Sequence, residues 1–318
     1  MPSPDARDGV VVILGTGGTI AGAAADPADN VGYTAAQRAV RSLVDAVPPL
    51  AAQRLECEQL AQLDSKDMDH ATWQRLALRA AHHLARDDVA GVVATHGTDT
   101  LEETATFLHL VLAPRKPLVL VAAMRPATSL QADGPQNLLD AVRVARHPDA
   151  RGVLAVLAGQ VHAGDDVRKW HPYRLDAFGS GDAGPLALIE DGVLRVLRPW
   201  PRAAAVCPAA LQLPVDRWPR VEIVTSHAGS DGRVVRSMVR DGVDGLVVAA
   251  TGNGSVHREL EAALDEAARA GVRVWRATRC GAGAIVGGRA DWPGAGALTP
   301  AKARVALLLE LLAARRPA

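Results

Sequence analysis

The chain is expected to fold as two α/β domains, a larger N-terminal one and a smaller C-terminal one, each with a mainly parallel sheet flanked by helices. Three observations lead there. Short apolar, β-branched runs alternate with stretches of helical periodicity along nearly the whole sequence. Strands that are apolar throughout belong to a parallel sheet covered on both faces. Five prolines crowd residues 199–219 (Pro199, Pro201, Pro208, Pro214 and Pro219), a density that suits an extended linker rather than a helix interior or a central strand. Finally, 318 residues are enough for two cores. The expected division is 1–198 for the first domain, 199–219 for the linker and 220–318 for the second.

The elements follow in order. VVVIL (10–14) reads as a buried strand, and Thr34 to Val47 as a helix capped by Thr34. RLECEQL (54–60) is a second strand, followed by a polar loop and a helix over 71–86. VAGVVAT (89–95) precedes a helix from about Asp99 to Leu112, and PLVLVAA (117–123) and GVLAVL (152–157) flank a helix near 135–146. Beyond the linker come VEIVTS (221–226), a helix near 231–240, GLVVAA (245–250), a helix near 256–270, VRVWRAT (272–278) and a closing helix over 300–314. In such sheets ligands bind past the carboxyl ends of the strands, so the loops after strands are where chemistry is sought.

Composition narrows the function. With 35 basic and 35 acidic residues there is no net field to favour nucleic acid or an anionic membrane, and no apolar run approaches the ~18 residues of a membrane span. MPSPDARDG has no basic stretch followed by an apolar core, so it does not read as a secretory signal. Cys57, Cys207 and Cys280 are scattered, with no C-x-x-C and no histidine at ligand spacing. Neither a disulfide framework nor a metal site is expected, and reduced thiols fit a cytoplasmic protein. The chain has 31 arginines but only four lysines, Lys66, Lys116, Lys169 and Lys302, and two tyrosines, Tyr33 and Tyr173. A lysine kept where charge is otherwise arginine can mark a position where a proton must be lost.

Four loops concentrate chemistry. GTGGTIAG (15–22) fails as a phosphate cradle: a dinucleotide fingerprint needs glycine where Ile20 stands, and no G-K-[ST] follows. Either its threonines cap the next element, or its glycines admit a ligand to the backbone while a hydroxyl faces it. THGTDTLEETATFL (95–108) sets Thr95, His96, Thr98 and Asp99 around Gly97. Asp99 or Thr100 can cap the helix, with Glu102 and Glu103 favouring its positive end, but a hydroxyl beside a carboxylate at a strand end also suits proton handling. His96 by itself reads as a hydrogen-bonded structural histidine. AAMRPATSLQADGPQNL (122–138) reads mostly as a turn that fixes neighbouring loops and orders the next helix. HAGDDVRKWHP (162–172) is either a solvated charged hairpin or the means by which Lys169 reaches inward to a threonine. Two hydroxyls, a carboxylate and a lysine point to threonine-based acyl transfer, since threonine needs a base to become a nucleophile.

The strings TGGTIAG (16–22), THGTDTLEETA (95–105), AMRPATSLQADGPQNL (123–138) and TPAKAR (299–304) resemble the bacterial-type L-asparaginases, and the similarity runs over nearly the whole chain. The resemblance implies hydrolysis of a side-chain amide by double displacement through an acyl-enzyme, without cofactor or metal. It implies Thr19 as the nucleophile and Tyr33 of GYTAAQ as the mobile tyrosine assisting it. It likewise implies a second constellation in which Lys169 activates Thr98 and Asp99 holds substrate. Backbone N–H groups around Gly97 and Thr98 would stabilise the oxyanion, Gly18 would line the site, and the Ala123 carbonyl would accept from the leaving amide. Ser65 of LDSKDM matches the residue that binds the substrate α-carboxylate, and Ser255 of GNGS matches a position contributed across a subunit boundary. The resemblance therefore also implies L-asparagine as substrate, with some activity on L-glutamine, and a homodimer or homotetramer with shared active sites.

The sequence departs from the family at two places. Lys66 stands where members carry Gln or Glu near the substrate amino group, and a cation there would repel an ammonium unless its head turns away to solvent. Highly active members place a glutamate in the stretch corresponding to 280–298; here Asp291 is the only acid. Both changes point to weaker recognition of a free α-ammonium, hence a raised KM for L-asparagine or another amide or lactam as substrate.

Overall fold

The computed structural model describes residues 7–201, 205–289 and 291–315. The chain divides into two compact units, Met1–Ala205 and Val206–Ala318.

The first unit is built on an eight-stranded sheet. Its strands are β1 (Val10–Gly17), β2 (Leu55–Leu63), β3 (Val89–Thr95), β4 (Pro117–Val121), β5 (Gly152–Leu157), β6 (Gln160–Ala163), β9 (Ala187–Glu190) and β10 (Val193–Val196), with the two-residue pair β7 (Arg168–Lys169) and β8 (Phe178–Gly179) apart from it. The order is β10-β9-β6-β5-β4-β3-β1-β2. β2, β1, β3, β4 and β5 are mutually parallel, and β6, β9 and β10 continue the sheet antiparallel. Helices α1 (Val40–Asp45), α2 (His70–Leu84), α3 (Leu101–Leu112) and α4 (Gly134–Arg146) connect the parallel strands. β3, β4 and β5 are buried over their whole length, which is why they read as unbroken apolar runs. Strand order reverses at β1, whose neighbours are β2 and β3, so the crevice past the carboxyl ends of β1 and β3 is the topological switch point of the sheet.

The second unit has a three-stranded parallel sheet in the order β11-β12-β13, made of β11 (Val221–Thr225), β12 (Gly245–Ala250) and β13 (Arg273–Thr278). Around it lie α5 (Arg233–Arg240), α6 (Arg258–Arg269) and α7 (Pro300–Ala314). The side chain of Thr299 caps α7 by accepting from the Lys302 N–H at 3.2 Å.

Three local expectations change. Thr34 does not start a helix: α1 begins only at Val40. The Ala36 N–H donates to the Gly18 carbonyl and the Val40 N–H to Gln59 Oε1, while Ala36 sits at φ 57°, so this backbone is committed to contacts with the β1 and β2 strand ends. Neither Asp99 nor Thr100 caps α3 through its side chain; the Thr100 hydroxyl donates instead to the Ser65 carbonyl. The proline-rich segment contains two short 3-10 turns, Pro208–Leu211 and Val215–Arg217, rather than being extended throughout. None of the three cysteines is in a disulfide, and burial raises the pKa of Cys57 and Cys207.

Candidate active site

Two strand ends at the switch point are brought into backbone contact. β1 ends in Gly17 and is followed by Gly18, both at positive φ. A Cβ added to Gly18 would lie 2.3 Å from the Gly97 nitrogen and 2.4 Å from its Cα, so no other residue fits. A Cβ on Gly97 would meet Ser65 Oγ at 2.4 Å. The glycines of both threonine motifs thus permit a close approach of three segments. Thr16 adds a tie by donating its hydroxyl to the Thr95 carbonyl at 2.7 Å.

On one side of this contact stands Thr19, largely buried, in a single 3-10 turn that follows Gly18. Its Oγ1 lies 2.7 Å from the Tyr33 hydroxyl. Tyr33 is held over Gly22, and reciprocal bonds between Ala23 and Thr34 anchor the backbone beside it. The loop that carries Tyr33 is clasped by the loop after β4: Ala127 donates to the Gly22 carbonyl, Ala24 to Thr128 Oγ1, Leu130 to the Pro27 carbonyl and Ser129 Oγ to Asn30 Oδ1. The Asp133 carboxylate in turn accepts from the Met124 and Arg125 N–H groups, each at 3.0 Å. Burial lifts the Asp133 pKa above the usual range, and these N–H bonds oppose the lift. The sequence expectation that 122–138 mainly fixes its neighbours is what these bonds describe.

On the other side stands Thr98. Lys169 Nζ donates to Thr98 Oγ1 at 2.9 Å and to Asp99 Oδ1 at 2.6 Å. The inward reach of Lys169, one of two readings of its charged segment, is the one realised: its side chain is only 18% exposed, against 54% for Asp99. Ser65 Oγ, fully buried below, accepts the Asp99 N–H at 3.1 Å. Beneath the loop a directed chain of hydrogen bonds runs inward. Trp73 Nε1–H donates to Thr104 Oγ1 at 2.8 Å. Thr104 stands 2.9 Å from His96 Nε2, and His96 Nδ1 lies 2.6 Å from the Gly97 carbonyl. A carbonyl can only accept, so Nδ1 carries the proton and Nε2 accepts from Thr104. Full burial pushes the His96 pKa down to about 4, opposed by the bond to Gly97. His96 is therefore a neutral structural residue in a fixed tautomer, as the sequence suggests.

Of the other expected site residues, Ala123 is buried directly after β4, and Lys66 lies beside Ser65 with its ammonium held by the neighbouring Asp67 carboxylate, which raises its pKa. The Lys66 side chain is 61% exposed. Ser255 belongs to the second unit, where it is exposed on a tight turn closed by Thr251. Asp291, the only acid in its stretch, is taken by Arg289, which also binds Glu261 and Asp265. Sequence reasoning missed three contributors. The Glu102 carboxylate accepts the Lys169 backbone N–H at 3.0 Å. Asp67 holds Lys66. Arg125, nine-tenths buried, donates Nη1 to the Tyr173 carbonyl at 2.7 Å and lies over the Tyr173 ring at 4.2 Å, tying the loop after β4 to the segment following Lys169. The scarcity of tyrosine was the one signal for this last contact.

The chain is also similar to known proteins over nearly its whole length. Residues 10–202 match the family described as asparaginase, N-terminal, and residues 220–318 the glutaminase/asparaginase C-terminal domain. L-asparaginase 2 of Bacillus subtilis is 36% identical over 315 residues, 96% of this chain and 83% of the relative. The glutaminase-asparaginase of Pseudomonas fluorescens biotype A is 36% identical over 95% of this chain and 86% of its own length. Among solved structures, a probable cytoplasmic L-asparaginase from Campylobacter jejuni superposes with a TM-score of 0.89 at 35% identity, covering 96% of this chain and 95% of that one.

Proposed function

The chain belongs to the asparaginase family of amide hydrolases, and from that premise we propose that it hydrolyses L-asparagine to L-aspartate and ammonia, with Thr19 as nucleophile. The observation that carries the reading is the backbone contact of Gly18 with Gly97, which sets two partnered hydroxyls, Thr19 with Tyr33 and Thr98 with Lys169, on adjoining strand ends.

In the first displacement Thr19 Oγ1 attacks the side-chain carbonyl while its proton passes to the Tyr33 oxygen and the tyrosine's own hydroxyl proton moves on to the amide nitrogen. The C–N bond breaks, the nitrogen leaves as ammonia, and Thr19 remains esterified. Water then adds to the ester, its proton passing along Thr98 Oγ1, held by Lys169, to the departing Thr19 oxygen, and aspartate leaves as the Thr19 hydroxyl is restored. The N–H groups of Gly97 and Thr98 stabilise the oxyanion of both steps. Gly18 lines the site, the Ala123 carbonyl accepts from the leaving amide, Ser65 binds the α-carboxylate and Asp99 the α-ammonium. The protein acts as a homodimer or homotetramer in which the second unit, through Ser255, completes the neighbouring subunit's site. Its location is the cytoplasm.

L-Glutamine is a side substrate, because one methylene changes pocket affinity by only ~1–3 kcal/mol. A second reading, hydrolysis of another amide or lactam, is favoured by one observation: the only acid of residues 280–298 is engaged by Arg289. The test is ammonia release by the purified protein from L-asparagine, L-glutamine and D-asparagine, with Thr19→Ala as control. Release from L-asparagine that vanishes in the variant supports reaction and nucleophile together. A folded protein that releases ammonia from none of them refutes the first reading in favour of the second.

A further inference from the structure

We infer that Glu102 is a positioning residue for this reaction: by accepting the Lys169 backbone N–H, its carboxylate sets the reach of the lysine ammonium onto Thr98. The inference rests on the role just proposed for Lys169 and Thr98.

Lys169 arrives on a strand of only two residues, β7, paired with β8 as Arg168 opposite Gly179 and Lys169 opposite Phe178. The next residue, Trp170, donates its N–H to the Ala177 carbonyl at 2.7 Å. In an antiparallel pair hydrogen-bonded and non-hydrogen-bonded positions alternate, so the Lys169 N–H faces away from β8 and needs an acceptor elsewhere. Glu102 Oε2 supplies it at 3.0 Å, across 67 residues of sequence. At its other end the same lysine donates Nζ to Thr98 and Asp99. Both ends of Lys169 are thus fastened to one short piece of chain, the start of α3, where Thr98 and Asp99 precede the helix and Glu102 is its second residue.

That piece is well suited as a reference frame. α3 buries Leu101, Ala105, Phe107 and Leu108 completely, and Phe178, opposite Lys169, is buried as well. A lysine side chain is a flexible four-carbon stem, so where its ammonium sits depends on where its backbone is held. The Glu102 contact that matters here is to the Lys169 backbone, not to an atom expected to react. A favourable charge at the positive end of a helix explains an acid in the first turn, but it does not explain why this carboxylate is spent on the backbone of the lysine.

The experiment is steady-state ammonia release by the full chain carrying Glu102→Ala, Glu102→Gln or Glu102→Asp, the alanine change being made also with Lys169→Met. Glu102→Ala is expected to lower kcat by about 10- to 100-fold, the scale of a misplacement near 1 Å, while KM moves less than about threefold. Glu102→Gln keeps an acceptor oxygen and restores most of that loss. Glu102→Asp, with the acceptor drawn back by one methylene, falls between and decides the matter should the alanine variant fail to fold. In the Lys169→Met background the alanine change has no further effect. Equal losses in the glutamine and alanine variants, an aspartate variant as active as the parent, or an alanine loss that persists without the lysine overturns the inference. Lys169→Met with full activity instead overturns the role of the lysine itself, and is read independently of any Glu102 variant.

Discussion

Replacing His96 by glutamine is expected to flatten the acid side of the stability profile. His96 is fully buried, and burial holds its pKa near about 4 against an ordinary 6.5. The folded value is the lower one, so as pH falls below 6.5 the unfolded chain binds a proton that the folded chain refuses. The stabilisation is present above 6.5 and is lost progressively as pH falls toward about 4. At about 1.4 kcal/mol for each pH unit, the whole loss is about 3 kcal/mol, most of it incurred by about pH 4.5. Protonation would also turn Nε2 into a donor and leave the Thr104 hydroxyl, which already accepts from Trp73, without its acceptor. Glutamine does not titrate, so its cost is a constant offset of about 1–3 kcal/mol. The assay is urea unfolding of both proteins at one protein concentration, followed by tryptophan fluorescence, at steps from about pH 7 to about pH 4.5. The advantage of the parent should shrink by about 2.5 kcal/mol over that range. A gap that stays constant with pH would refute the neutral, fixed-tautomer description of His96.

Other outcomes follow from the same contacts. Tyr33→Phe removes the 2.7 Å bond to Thr19 and should lower kcat by about 10²-fold or more with the fold intact; a kcat within twofold of the parent would remove the tyrosine from the proton path. Gly18→Ala forces a methyl against the Gly97 backbone at positive φ and should cost about 2 kcal/mol or more of stability along with activity, read by the same urea titration. Asp67→Asn frees the Lys66 ammonium and should raise KM for L-asparagine, while Lys66→Gln lowers it; equal KM in all three proteins would exclude this cation from substrate recognition.

How much of this was legible beforehand depends on where each residue finds its partner. β3, β4 and β5 could be read directly, because strands buried on both faces must be apolar along their length. The position of Thr19 and Thr98 after β1 and β3 followed from alternation alone, and the resemblance to a known family added roles to residues already singled out. The segment after Tyr33 could not be read: its composition suits a helix, but its N–H groups are claimed by Gly18 and Gln59. Lys169 shows the same limit, since a run of charges looks like solvated surface until its neighbours are known.

Strand–helix alternation, the loops that carry the hydroxyls and the family to which they belong are therefore all written in the linear order of the residues. These depend on burial patterns and on glycine and threonine at fixed spacing, which are local properties. Tertiary structure alone decided that Gly18 and Gly97 touch, that the Lys169 ammonium meets Thr98 while Glu102 holds its backbone, that the Lys66 charge is taken by Asp67, and that His96 stays neutral. Each of these is a contact or a loss of solvent, and segments far apart in sequence acquire both only when the sheet brings their ends together.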